Sequence, residues 1–361
     1  MKKDYTLALT GLTITLVVIG LLSIYSASNV IAEDRFNNPY YFLIRQGIFA
    51  GIGLGIMYFA SRFPYEKLKK HATLIFSACI LLLIAVLIPG VGVVRGGARS
   101  WLGIGSFGVQ PSEFMKIGVI IIVSKFIANY YSEITKVTNL IYIGIIIMVV
   151  FGLIMLQPDF GTGMVIVLSA VVLLFIAGLP LKYFALLFVG GIIGIIGLII
   201  SAPYRLRRIF AYLDPWSDPL GAGFQIIQSL YAIAPGGLFG VGFNNSVQKY
   251  FYLPEPQTDF IFAIVLEELG FIGGTLILGV YALFIYVCLR ISFNQEELFG
   301  KFLGLGLTSI IFIQFFINIS VVLGIMPVTG VTLPFLSYGG SSLMVTLLSV
   351  GIILNISKNI K

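Results

Sequence analysis

Hydrophobic positions in this chain fall in long unbroken blocks. They do not alternate as in a half-buried strand, nor do they form the narrow stripe of a soluble helix. Apolar runs at about 6–28, 41–60, 72–90, 111–130, 139–156, 162–178, 183–202, 259–286, 301–324 and 337–357 approach or exceed the ~20 residues that carry a helix through a bilayer. The pattern predicts an all-α integral membrane protein, a polytopic bundle of about ten transmembrane helices, with residues 1–361 as one membrane domain. The first run is too long for the apolar core of a cleaved signal peptide, so it reads as an uncleaved helix. Two connecting stretches are long, 91–110 and 203–258, and together they are rich in Gly, Trp, Tyr and Pro. The second is a large extracytoplasmic loop between the seventh and eighth predicted helices. No internal repeat stands out.

Composition agrees with lipid as the solvent. The chain is 58% hydrophobic and only 10% charged, against about a quarter charged in soluble domains. Its two cysteines, Cys79 and Cys288, fall in or beside apolar runs and suggest no disulfide framework. A single histidine, His71, excludes His-based triads and multi-His metal sites. There is no Walker A pattern and no GxGxxG after a strand, so nothing implies direct nucleotide use. The net charge of +7 reflects basic residues flanking spans, not a nucleic-acid surface. Lys and Arg are densest in the short segments that share a side with both chain ends. That predicts cytoplasmic termini and a working face on the outer side.

Under this topology the even-numbered predicted helices begin at the outer face, and the polar motifs gather there. They are "QPSEFMK" (110–116), "QPDFGTG" (157–163), "QTDF" (257–260) and "LPFLSYGGSS" (333–342). Glu113, Asp159 and Asp259 are each good residues for a helix start, where the macrodipole favours acids. Four helix starts on one face also make a field suited to a phosphate-bearing ligand. Glu113 and Lys116 are three apart and able to pair on one helix face. Such a pair is either helix–helix glue or part of a site. Glu267 lies about 12 Å along a helix from Asp259, beyond the ~5–9.5 Å of paired glycosidase carboxylates. Glu267 and Glu268 are therefore expected to pair or hydrogen-bond within the bundle, leaving chemistry to Asp259. Arg205, Arg207 and Arg208 form a basic cluster on the outer side, suited to lipid headgroups or to a pyrophosphate. Trp101 is either an interfacial anchor or a face for a sugar ring.

Longer stretches carry a resemblance. "GGARSWLGIGSFGVQPSEFMK", "YLDPWSDP", "QSLYAIAPGGLFGVGFNNSVQKYFYLPEPQTDFIFAIVLEELGF" and "MPVTGVTLPFLSYGGSS" resemble the shape, elongation, division and sporulation (SEDS) family, nearest its FtsW/SpoVE branch. The resemblance spans essentially the whole chain. One departure is "AIAPGG", with Pro235 where that branch has a Gly-Ser type turn. The resemblance implies a ten-helix fold and a peptidoglycan glycosyltransferase that polymerises lipid II outside the bacterial cytoplasmic membrane. It matches Asp259 to the family's required aspartate, and Trp101, Glu113 and Lys116 to its other motif positions. It also implies a separate class B penicillin-binding transpeptidase as partner.

In that reading Asp259 is the general base toward an acceptor hydroxyl. Glu113 and Lys116 order the cleft, with Lys116 able to offset pyrophosphate charge. Pyrophosphate chemistry leaves room for a divalent cation, though no ligand set with metal spacing identifies one. The rivals are a lipid II flippase and a non-catalytic membrane scaffold for a transpeptidase. The first expects motifs lining a path through the midplane, and the second leaves Asp259, Glu113 and Lys116 unexplained together.

Overall fold

The computed structural model describes residues 2–95, 97–104, 107–200, 203–221 and 223–359. Each predicted apolar run overlaps one helix: α1 (Lys2–Phe36), α2 (Tyr41–Arg62), α3 (Tyr65–Leu87), α4 (Pro111–Asn129), α5 (Val137–Met155), α6 (Phe160–Ile176), α7 (Leu181–Ile200), α10 (Ile261–Phe293), α11 (Leu298–Val322) and α12 (Gly340–Ser357). Among the described residues, 7 helices are long and apolar enough to cross a membrane by length and composition. Of the others, α4 carries Glu113, Lys116 and Lys125, and α6 has 17 residues.

The two long connections are more ordered than the sequence reading expected. Residues 91–110 hold a small antiparallel sheet, β1 (Val93–Arg95), β2 (Ala98–Ile104) and β3 (Phe107–Val109), in the order β1-β2-β3. The fold is thus helical with one small sheet. The large loop contains α8 (Pro203–Leu213) and α9 (Phe224–Gly236). In α8 the apolar Leu206, Ile209, Phe210 and Leu213 recur at helical spacing, which makes this segment an amphipathic helix. Pro235 sits in the last turn of α9, and Gly237, at φ +49°, turns the chain out of it.

The core is built around α11 and α12. Their most apolar stretches are 78% and 83% buried, against 22–33% in α1, α2, α3, α5 and α10. Those outer helices instead show apolar faces outward, such as Leu7, Ile14 and Val18 on α1 and Ile141, Ile145 and Met148 on α5. That distribution is expected when the surroundings are lipid. Close packing against α12 depends on a small residue. A Cβ on Gly351 would lie 2.6 Å from the Met57 carbonyl oxygen of α2, and such small contacts let spanning helices approach.

Candidate functional site

Four helix starts meet at one end of the bundle, each tied to the next. At α4, the Gln110 amide N–H donates to Ser341 Oγ of α12 at 3.2 Å, and Gln110 Nε2 donates to Asp159 Oδ2 at 2.8 Å. Asp159 is the N-cap of α6, accepting from the Thr162 N–H at 3.1 Å. Its carboxylate is therefore committed to capping and to Gln110. The α6 start abuts the strap between α11 and α12: a Cβ on Gly161 would lie 2.6 Å from the Thr329 carbonyl. That strap runs beside Asp259, whose Oδ2 lies 3.8 Å from a Cβ built on Gly330. It then returns to α10 and α12. The Tyr338 N–H donates to the Gln257 carbonyl at 2.8 Å, and Ser337 Oγ donates to the Thr258 carbonyl at 2.6 Å. The convergence expected from the motifs is thus present in the fold.

Asp259 is half-buried and stands just ahead of Phe260, the N-cap of α10. Its backbone is fixed from α11, where Asn318 Nδ2 donates 2.8 Å to the Asp259 carbonyl and 2.8 Å to that of Val331. Four residues earlier on α11, Gln314 Oε1 accepts from Lys116 Nζ at 3.0 Å. Lys116 also lies 2.7 Å from Glu113 Oε2, both side chains almost fully buried. One turn of α11, about 6 Å, therefore joins the Glu113–Lys116 pair to Asp259. Sequence reasoning missed Gln314 and Asn318. The signal was available: two amides four apart inside an otherwise apolar span.

The "EELG" stretch folds in a way a hydropathy pattern does not show. Gly270 has φ +66° and ψ −169°, so α10 is two helices meeting at a break. Residues 237–242 run through that break and supply its hydrogen bonds. The Val241 and Gly242 N–H groups donate to the carbonyls of Glu267 and Glu268, both at 3.0 Å. The Phe271 and Ile272 N–H groups donate to the carbonyls of Gly237 and Leu238 at 2.9 and 3.1 Å. These are the groups that would pair with one another in an unbroken helix, so a segment of the long 203–258 connection has been inserted into the ladder.

Glu267 and Glu268 hold the same segment by their side chains. Glu267 accepts from Ser246 Oγ at 2.5 Å and from the Val247 N–H at 2.8 Å. Glu268 accepts from Ser26 Oγ of α1 at 2.5 and 2.7 Å and lies 3.9 Å from Lys249 Nζ. Lys249 is buried and also donates to the Asn244 carbonyl and side chain at 2.7 and 2.6 Å. Burial lowers its pKa from the usual lysine value, and the Glu268 and Glu267 carboxylates oppose that fall. Within the bundle Glu267 is thus held by hydrogen bonds and Glu268 by hydrogen bonds and the Lys249 ammonium, and Ser246, Val247 and Lys249 all come from the large loop.

Trp101 lies on β2, half-buried and in register with Val93. Its sheet adjoins the site through the Gly108 carbonyl, which accepts from Ser341 Oγ at 3.4 Å. Arg207 is exposed on α8. That helix is tied to the strap after α11 by Tyr212, whose hydroxyl donates 2.6 Å to the Ile325 carbonyl. The side chains of Arg205 and Arg208 lie outside the described residues.

Known proteins match this chain over nearly all its length. Stage V sporulation protein E of Bacillus subtilis is 50% identical over 358 residues, 99% of this chain and 98% of that protein. The probable peptidoglycan glycosyltransferase FtsW of Coxiella burnetii is 41% identical over 349 residues, 96% of this chain and 94% of that one. Among solved structures, a chain of a peptidoglycan synthase complex coordinating polymerization and crosslinking superposes with a TM-score of 0.81 at 31% identity. That match covers 97% of this chain and 96% of the other. The rod shape determining protein RodA of Thermus thermophilus gives 0.72 at 27% identity, covering 97% and 95%. The model of the cell cycle protein family FtsW/RodA/SpoVE matches residues 7–361, and this multi-pass membrane chain belongs to that family.

Proposed function

We infer that the chain is a peptidoglycan glycosyltransferase that polymerises lipid II. The carrying observation is the convergence of four helix starts around Asp259, with the buried Glu113–Lys116 pair one turn of α11 away. The Asp259 carboxylate takes the proton of the acceptor sugar hydroxyl as that oxygen bonds to the donor anomeric carbon. The bond from that carbon to the pyrophosphate breaks, and the undecaprenyl pyrophosphate leaves with both electrons. The helix starts of α4, α6, α10 and α12 direct positive dipole ends at this face, where phosphate charge is best held. Glu113 and Lys116 neutralise each other in the interior, so their part is to fix α4 against α11 and hold Asp259 in place. The Trp101 sheet and Arg207 border the substrate path.

The relatives support the reading, since one is named as a probable peptidoglycan glycosyltransferase and another structure belongs to a synthase complex. A penicillin-binding transpeptidase on a separate chain is the partner this implies. The single connected core from Leu9 to Ile356 supports treating 1–361 as one membrane domain. We place both termini in the cytoplasm and the Asp259 face outside. The test uses purified protein and purified lipid II. Asp259→Asn loses glycan polymer while still inserting and binding lipid II. An Asn variant as active as the parent removes Asp259 from the chemistry. A parent that moves lipid II across sealed vesicles without polymerising it makes the chain a flippase.

A further inference from the structure

Lys125 lies on α4, about 21 Å along the helix from Pro111, toward the end of the bundle opposite Asp259. Lysines inside spans are rare and are held by a partner or by function. Lys116, on the same helix, has Glu113 at 2.7 Å. Lys125 is half-buried, and no acidic group pairs with it among the described residues. The nearby Glu133 is already taken by Lys136 at 2.8 Å.

Lys125 instead lines a cavity of about 470 Å³ between α3, α4 and α5. Its other polar walls are Asn129 of α4, Thr73 of α3, and Thr138 and Asn139 of α5. The last two belong to the first turn of α5, whose dipole presents positive charge to the cavity. Phe126 and Tyr142 stack at 4.8 Å and close one side. Beyond the mouth, exposed apolar faces continue along Ile141, Ile145 and Met148 of α5 and Leu74 and Leu81 of α3. A cation, amides and hydroxyls in a recess that opens onto apolar surface match a phosphate group attached to acyl chains. Basic recesses between spanning helices bind lipid headgroups for the same reason.

We propose that this cavity binds the phosphate of an anionic glycerophospholipid, with Lys125 as its counter-charge and the outer faces of α3 and α5 as the acyl track. The site is separate from the Asp259 face and takes a different lipid from the glycan donor. The test is lipid retention by native mass spectrometry after reconstitution in mixed phosphatidylglycerol and phosphatidylcholine bilayers. The wild type retains phosphatidylglycerol preferentially. Lys125→Met loses about fivefold of that preference, the size of one basic group at an anionic headgroup, and Lys125→Arg keeps it. Equal retention by the Met variant overturns the proposal. Displacement of the retained lipid by millimolar inorganic phosphate assigns the site to free phosphate and overturns the lipid assignment. A photoactivatable phosphatidylglycerol on the wild-type protein gives a measurement independent of variant folding. Crosslinks should map to the facing parts of α3, α4 and α5, and crosslinks confined to other helices overturn the proposal.

Discussion

Gly270→Ala is the sharpest probe of the broken helix. The φ of +66° and ψ of −169° at this position lie in a region that is nearly glycine-only and costs other residues about 1–3 kcal/mol. The added methyl would sit 2.3 Å from the Gly240 nitrogen and 2.7 Å from the Leu238 carbonyl oxygen. Both obstacles are backbone, so relief requires moving the inserted segment 237–242. Losing two of its four cross-helix hydrogen bonds adds roughly 1–3 kcal/mol at about 0.5–1.5 each. The total is about 2–6 kcal/mol, a large part of the ~5–15 kcal/mol that holds a typical protein folded. Gly279→Ala in the same helix is the control. No atom lies within 4 Å of its built Cβ, so alanine there gains roughly 0.5–1 kcal/mol of helix propensity. The assay is thermal unfolding of both purified variants in one detergent, with lipid II polymerisation measured in parallel. Gly270→Ala should unfold well below the parent and Gly279→Ala at or slightly above it. Because the upper half of α10 carries Asp259 at its start, polymerisation by Gly270→Ala should fall about a hundredfold, the cost of roughly 1 Å of misplacement. Two variants with the same unfolding temperature and the same activity would refute the account of the break.

Breaking the buried pair on one side, by Glu113→Gln or Lys116→Met, should cost about 3–5 kcal/mol, and exchanging the charges as Glu113→Lys with Lys116→Glu should recover most of it with measurable polymerisation. A swapped protein as stable as the parent but inactive would instead put Lys116 on the donor pyrophosphate. For topology, Leu220→Cys places a thiol on a residue 88% exposed, in a protein whose own cysteines are buried. A membrane-impermeant maleimide should label it on intact cells, and labelling only after lysis would invert the proposed orientation.

Much of the architecture is written in the order of residues, because a lipid solvent makes the rule simple. Backbone polar groups in hydrocarbon must be satisfied within the segment, so each long apolar run becomes a helix, and the runs could be read off directly. The four polar motifs were legible for a related reason. Gln, Pro, Ser, Asp and Gly at a helix start have local roles that do not depend on distant residues, and motifs in alternate helices must emerge on one face. The amphipathic stripe of α8 was equally local, yet it was hidden by reading 203–258 as a loop on composition alone.

What the tertiary structure decided are the choices that rest on partners far away in sequence. Asp159 proves committed to capping α6 and to Gln110, whereas Asp259 keeps its place ahead of α10 through Asn318, 59 residues on. Lys116 finds Gln314 at a separation of 198 residues, and Glu268 finds Ser26 at 242. No local pattern encodes such pairs, because in an apolar interior a polar side chain is assigned by whichever partner the packing brings within reach. The break at Gly270 shows this most clearly. Hydropathy reads 259–286 as one span, and a lone glycine in a helix is ordinarily only a weak spot. It becomes a break because residues 237–242 offer the four groups that its ladder gives up, a match that exists only once the loop has folded back onto α10.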